Sequence, residues 1–358
     1  MIESTLALSP WQAFLVQQGA RIEAENDAEV RHFGACTTAL PENFVAPLTD
    51  LGLIALSGDD AAGFLHRQIT NDVEKLDPAN VRLAGYCTPK GRLLATFLMW
   101  KESGQIMLQL PRTILPPVQK RLRMFVLRAR VQLTDVSEQY VTLGLAGDAA
   151  AQVLQQWFPH LPAHAYTRIA NDNGTLMRLA DSYRTPRYQW ITNTGQAISA
   201  WPVLTQKLTA TGTYAWRLSD IYAGVPMITQ PTQERFVPQM INFELIGGVD
   251  FKKGCYPGQE IVARSQYLGK LKRRSVLALI DATGVHAGAE VFSSVDAGQP
   301  CGMVINAEPA GNGQSACLVE IKLAAADNGS IHLGAADGPV LQLQKLPYTF
   351  FAQETRNK

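Results

Sequence analysis

Residues Phe251 to Arg264 read FKKGCYPGQEIVAR and gather more reactive chemistry than any other stretch of the chain. Cys255 stands between a small Gly254 and an aromatic Tyr256, with Lys252 and Lys253 just before it. Tyr256-Pro257-Gly258-Gln259 has Pro second and Gly third, the pattern of a type II turn. Past it, Glu260 to Arg264 can begin a helix, with Glu260 and Arg264 spaced i,i+4 for an ion pair. Cys255 is thereby expected close to a helix N-terminus and beside two lysines, both of which favour thiolate over thiol. Lys253 is the candidate electrostatic partner of the thiol, with a merely solvated charge as the competing reading, and Gly254 leaves the sulfur approachable. Gln259 and Glu260 would serve equally well as helix-capping residues. The competing reading of Cys255 is a buried structural cysteine, because free Cys is among the most buried residue types.

The rest of the chain bounds what this thiol can belong to. With 358 residues, two or three domains are expected. Lys plus Arg is 32 against 31 for Asp plus Glu, a net charge of +1, which argues against a protein that coats nucleic acid. The apolar run from Leu93 to Trp100 is too short to span a bilayer. Ser9-Pro10-Trp11-Gln12 reads as a helix start and not as a signal peptide. The five cysteines are scattered, with no CxxC pair, which suits free thiols in a reducing, cytoplasmic compartment. His160 and His164 are separated by Pro162, so no metal site is expected.

The elements that must position the thiol follow from periodicity. Residues 1–44 form a lead-in with one short helix, and Arg21 to Asp50 is polar and irregular. A first α+β unit is expected over 45–140. It opens with the strand Leu51 to Leu56, a cap at Ser57-Gly58-Asp59-Asp60, and helical spacing through Phe64, Leu65, Gln68 and Ile69 to a stop at Thr70-Asn71-Asp72. Strands follow at Val81 to Cys87, Arg92 to Lys101 and Ile106 to Leu110, the first two joined by the turn Thr88 to Gly91. A helix at Leu115 to Phe125 and a strand at Arg128 to Asp135 complete it. A second unit over 141–212 has strands at Val141 to Leu145, Thr175 to Leu179 and Tyr188 to Ile191. Its helices run from Gly147-Asp148 to Phe158 and near Trp201 to Ala210. Strand followed by a Gly-Asp helix start in both units hints at an internal duplication. Residues 213–271 return with the cysteine motif. Residues 272–358 carry short alternating strands without a good helix, a small antiparallel barrel. Gly311-Asn312-Gly313 lies between two strands and reads as a hairpin turn, not as a nucleotide loop.

Three stretches now assembled resemble the folate-binding YgfZ family, a branch of the glycine-cleavage T-protein superfamily. They are Leu56 to Val73 with Lys90-Gly91-Arg92, then Trp216 to Pro226, then Phe236 through Lys253-Gly-Cys-Tyr-Pro-Gly-Gln-Glu260 to Gly269. The resemblance implies an α+β, T-protein-like ring of three domains: two α+β units plus a C-terminal antiparallel β-barrel around a central channel. It implies tetrahydrofolate or a derivative in that channel and a role in iron–sulfur protein maintenance, and through it tRNA modification. It implies that Cys255 is needed for function. It places folate contacts at Trp216, Leu51, Asp72 and Gln239. One of the family's two folate-associated tryptophans falls on Trp216, but the other falls on the aliphatic Leu51, which removes a flat π face from one wall.

Two other functions compete. T-protein aminomethyltransferases carry an acidic pair after the glycine equivalent to Gly91. Here Arg92 to Lys101 holds no carboxylate before Glu102. Proton transfer needs a group within hydrogen-bond reach, so this reaction is not expected unless a carboxylate such as Asp72 substitutes. A ligand-free scaffold is the third reading. Expected partners are iron–sulfur proteins such as tRNA methylthiotransferases. Lys270, Lys272, Arg273 and Arg274 form either a solvated strand edge or a docking patch for RNA or an acidic partner. One cysteine cannot hold a cluster alone, since clusters usually take four thiolates.

Overall fold

Strand order, not strand content, is what reveals the architecture. The computed structural model describes residues 8–23, 29–34, 39–267 and 271–349. Its first sheet has five strands in the order Val81–Cys87, Leu93–Glu102, Gln105–Pro111, Leu51–Ser57, Gln132–Asp135. The second has six, in the order Thr167–Asn171, Gly174–Ser182, Thr185–Thr192, Val141–Ala146, Phe44–Pro47, Thr209–Ala210. Each is a three-stranded meander laid antiparallel against the strand that opens its unit, so the suspected duplication is visible as shared topology. Both units also turn from opening strand to helix through a glycine in the left-handed region, Gly58 (φ +107) and Gly147 (φ +100), where neighbouring atoms leave no room for a Cβ.

The sequence misplaced several boundaries, each for a tertiary reason. The lead-in is not irregular throughout. Ala20–Glu23 pairs with Glu29–Phe33, and Phe44–Pro47 joins the second sheet by pairing with Val141–Ala146. The helix at Ala61–His66 stops three residues short of Ile69, because Ile69 bridges to Tyr86 and the Thr70 N–H is captured by Gly85 O. Asp60 does not cap it with its side chain; that carboxylate accepts from the Arg130 N–H instead. Leu115–Arg123 ends before Phe125, which is exposed. The strand expected from Arg128 begins only at Gln132. Asp148–Leu154 is shorter than expected, and the next helix runs Thr194–Thr205, started by an Asn193 cap that accepts from Gln196 N at 2.9 Å.

The C-terminal region is one six-stranded sheet, in the order Ile331–Leu333, Glu290–Ser293, Asp296–Gly311, Gln314–Lys322, Arg273–Ile280, Leu341–Gln344. It curls into a half-barrel whose two edges approach at the bridge His332↔Val340. Asn312 (φ 52) and Gly313 (φ 74) form its two-residue hairpin turn, both in the left-handed region that a type I′ turn needs. A short helix, Leu323–Asn328, does occur here; it hangs from the end of a strand, with Leu323 N bonded to Lys272 O at 2.9 Å.

Candidate functional site

The cysteine loop has the local geometry its residues dictate. Gln259 N donates to Tyr256 O at 3.2 Å, and Gly258 has φ +83, which closes a type II turn. The helix Gln259–Tyr267 follows directly, and Glu260 pairs with Arg264 at 3.0 Å on its exposed face. Cys255 is exposed.

What holds the loop is the segment Thr70-Asn71-Asp72, read from sequence only as a helix stop. Thr70 Oγ1 donates to Gly248 O at 2.6 Å, and Asn71 Nδ2 donates to Gly247 O at 2.7 Å. Asp250 N donates to Thr70 O at 2.9 Å. Lys253 is buried, not solvated. Its Nζ donates to the carbonyls of His66 and Ile69 and lies 4.9 Å from the centre of the Tyr256 ring. Burial lowers its pKa to about 8, against the opposing fields of Asp72, Asp250, Cys255 and Glu74. At neutral pH it is still mostly an ammonium, a fixed cation two residues from the thiol.

The other described thiols differ sharply from Cys255. Cys87, Cys301 and Cys317 are buried, and burial pushes Cys87 and Cys317 up to about 12. Cys36 lies outside the described residues, as do Gly269 and Lys270.

Behind the loop runs a channel. A cavity of about 570 Å³ is lined by Asn71, Leu83, Tyr166 and the start of the cysteine loop at Asp250, Phe251 and Lys252. Leu83 and Tyr166 also line a narrow waist of about 60 Å³. The waist shares Pro111, Asp220, Val225 and Met227 with a third cavity of about 270 Å³. At that end Arg217 gathers three carboxylates from distant parts of the chain: Glu29 at 2.7 Å, Asp50 at 3.0 Å, and Glu308.

The waist holds Leu51 and Trp216 together. Trp216 is not free to stack broadly on a ligand. The Arg187 guanidinium lies 4.8 Å from its ring centre, and the Gly144 backbone packs so close that a Cβ there would sit 2.7 Å from Cδ2. Arg187 in turn donates to Asp220 Oδ1 at 2.6 Å and to Ser219 Oγ at 2.9 Å. Burial raises the Asp220 pKa while Arg187 opposes the rise. Gln109 and Gln189 complete the waist, one from each unit's meander. Both are buried, and Gln109 Nε2 and Gln189 Oε1 have no hydrogen-bond partner. Buried amide atoms without partners are costly, by about 1–3 kcal/mol each. The waist therefore presents an unmet donor, an unmet acceptor and a buried ion pair between apolar walls, a donor set that fits the polar edge of a heterocycle such as a pterin. Sequence reasoning missed Gln109, Arg187 and Gln189, because strand residues carry no mark of facing a channel. It also missed Asp220, which sits on the helix Thr213–Tyr222 within the stretch Trp216 to Pro226 that carries the resemblance.

Two expected contacts lie elsewhere. Gln239 is fully buried away from the three cavities, with Nε2 on Val262 O at 2.8 Å, fastening the helix that follows the cysteine turn. Asp72 is turned toward Lys75 at 3.2 Å and His66 at 3.3 Å and lines none of those cavities. Of the basic cluster, Arg273 and Arg274 are not free, while Lys272 is exposed. Arg274 is buried against Glu244, and Arg273 is paired with Glu320. An arginine already matched to a buried carboxylate has little charge left for RNA or an acidic partner.

A channel between two sheet-built units, with a cysteine loop at its rim, defines a protein of the glycine-cleavage T-protein class. The model of the GCVT N-terminal domain matches residues 44–170. The fold is that of the glycine cleavage system aminomethyltransferase T from Bartonella henselae, with a TM-score of 0.76 over 94% of this chain and 96% of that one at 16% identity. In sequence the chain is 35% identical to the tRNA-modifying protein YgfZ of Colwellia psychrerythraea, over 65% of this chain and 71% of that protein. It is 32% identical to the tRNA-modifying protein YgfZ of Photorhabdus laumondii, over 67% and 72%. The chain belongs to the YgfZ family. No helix among the described residues is long and apolar enough to cross a membrane.

Proposed function

We propose that this protein binds reduced folate in its channel and uses Cys255 as a reactive thiol in maintaining iron–sulfur proteins, and through them tRNA modification. The tRNA link rests on its relatives, which are named for it. The observation that carries the folate reading is the waist with its two unpartnered amides, Gln109 and Gln189, beside the Arg187–Asp220 pair. Those four residues would hold the polar edge of the ring, while Leu51, Leu83 and Trp216 wall it. The waist is small for a whole folate, but the cavities on either side bring the space into the ~300–1,000 Å³ range of ligand pockets. Tetrahydrofolate, when bound, supplies a one-carbon carrier. The chain's own part is to orient it, exclude water and present the thiol outside. Clients such as tRNA methylthiotransferases would meet Cys255 on the exposed loop, in a cytoplasm that keeps it reduced.

Aminomethyl transfer is the weaker reading. Asp220 is the carboxylate at the waist, and it is committed to Arg187. Calorimetry with tetrahydrofolate tests the channel: no heat and no competition at millimolar ligand removes folate from the account. A deletion strain complemented with Cys255→Ser tests the thiol. Loss of iron–sulfur enzyme activity and of tRNA thiomethylation is expected; full complementation would remove Cys255 from it.

A further inference from the structure

His66 closes the helix Ala61–His66 and is one of its buried residues, 9% exposed. Its carbonyl accepts from Lys253 Nζ, so the residue's backbone already grips the cysteine loop. Its ring points the same way. A Cβ placed on Gly254 would lie 3.2 Å from His66 Nε2. Cys255 is the next residue, one Cα–Cα step of about 3.8 Å along the chain. On the other edge of the ring, Nδ1 is 3.3 Å from Asp72 Oδ1, an ion-pair separation, yet Nδ1 has no aligned hydrogen bond. A buried imidazole is thus held between a carboxylate and the backbone that carries the thiol, with polar capacity unspent.

Asp72 suits the role of partner. Burial raises its pKa, but the Lys75 N–H, the Lys75 ammonium and His66 outweigh that and leave it lowered, so the carboxylate is ionised at neutral pH. An imidazolium formed at His66 would meet that charge directly. The opposing cations are Lys253 on the cysteine loop and Lys75 on the segment after the helix. Asp250 and Glu74 add further negative field around Lys253.

We propose that His66 is the proton acceptor for Cys255. The S–H bond of Cys255 breaks, its electron pair stays on sulfur, and the proton moves to His66 Nε2, giving a thiolate–imidazolium pair steadied by Asp72. The charge balance is internal, and no other reactant is required. Gly254 has the small side that this approach demands. The inference rests on the reading of Cys255 as the working thiol, but its test is separate, because it follows the thiol with or without folate or a client.

The experiment is the pH profile of iodoacetamide alkylation at Cys255, read by mass mapping on the full chain. The wild-type profile should carry a second step, from the imidazole, in addition to the thiol limb. His66→Gln should lose that step, with a rate at neutral pH about tenfold lower. Asp72→Asn should keep the step but move it to lower pH, since the imidazolium loses its counter-charge. A His66→Gln profile identical to wild type overturns the proposal. If His66→Gln does not fold, the wild-type protein decides: the His66 ring resonances must change their titration when Cys255 is alkylated, and unchanged titration overturns it equally.

Discussion

Gly91 and Gly258 lie back to back: a Cβ on Gly258 would sit 2.7 Å from Gly91 Cα. The turn Thr88–Gly91 and the cysteine turn Tyr256–Gln259 are thus pressed together through two residues without side chains. Both also need the left-handed region, at φ +70 and φ +83. The contact fixes the cysteine loop against the first sheet. Gly258→Ala should therefore be strongly destabilising, by at least ~1–2 kcal/mol from the backbone alone and more from the clash. Urea denaturation measures it; a loss of a few tenths would mean that the two turns part freely.

Cys255 should be the fastest thiol. Burial withholds Cys87, Cys301 and Cys317 from reagent and raises their pKa values, while Cys255 is open. Limited iodoacetamide labelling at neutral pH, mapped by mass, should find Cys255 modified first. Faster labelling of Cys87 or Cys36 in the folded protein would contradict this.

Lys253 makes stability rise at alkaline pH. Its folded pKa of about 8 lies below the ordinary lysine value of 10.5, so between those values the unfolded chain binds more protons. Stability then increases with pH across that window, and below about 8 the contribution is flat and at its least favourable. Urea melts through the window should show wild type gaining on Lys253→Met. The opposite slope would mean that the two carbonyls and the Tyr256 ring hold the charged form more strongly than burial opposes it.

Folate affinity should depend on the waist. Gln109→Leu and Gln189→Leu should each weaken tetrahydrofolate binding by about 0.5–1.5 kcal/mol, the net worth of one hydrogen bond. Trp216→Ala should cost about 1–3 kcal/mol, partly by releasing Arg187. Calorimetry reads all three, and unchanged affinity in the glutamine variants would move the ligand out of the waist.

Aminomethyl transfer should be absent. Gly91 to Lys101 carries no carboxylate, Asp72 faces away from the channel, and Asp220 is held by Arg187. Losing a positioned acid–base group costs about 10²–10⁴-fold in rate. Formation of methylenetetrahydrofolate from an aminomethyl-loaded lipoyl carrier at an ordinary enzyme rate would promote the transferase reading.

Local geometry was legible in the chain itself. Pro257-Gly258 and Asn312-Gly313 dictate their turns because φ preferences act within one or two residues, and the strand runs Leu51 to Leu56 and Leu93 to Trp100 announce themselves by burial-ready composition. The family, too, could be read from motifs. What long-range pairing decides was invisible. Phe44–Pro47 belongs to the second sheet only because Val141–Ala146 offers it an edge. Arg274 reads as a surface charge until Glu244 is folded against it, and Lys253 as solvated until His66 and Ile69 present their carbonyls. His66 carries no signal of its own beyond lying within the stretch that resembles the family. Its meaning comes from Gly254, 188 residues on in the chain, because burial, charge pairing and proton transfer depend on distance in space, which sequence spacing encodes only within a turn or a helix.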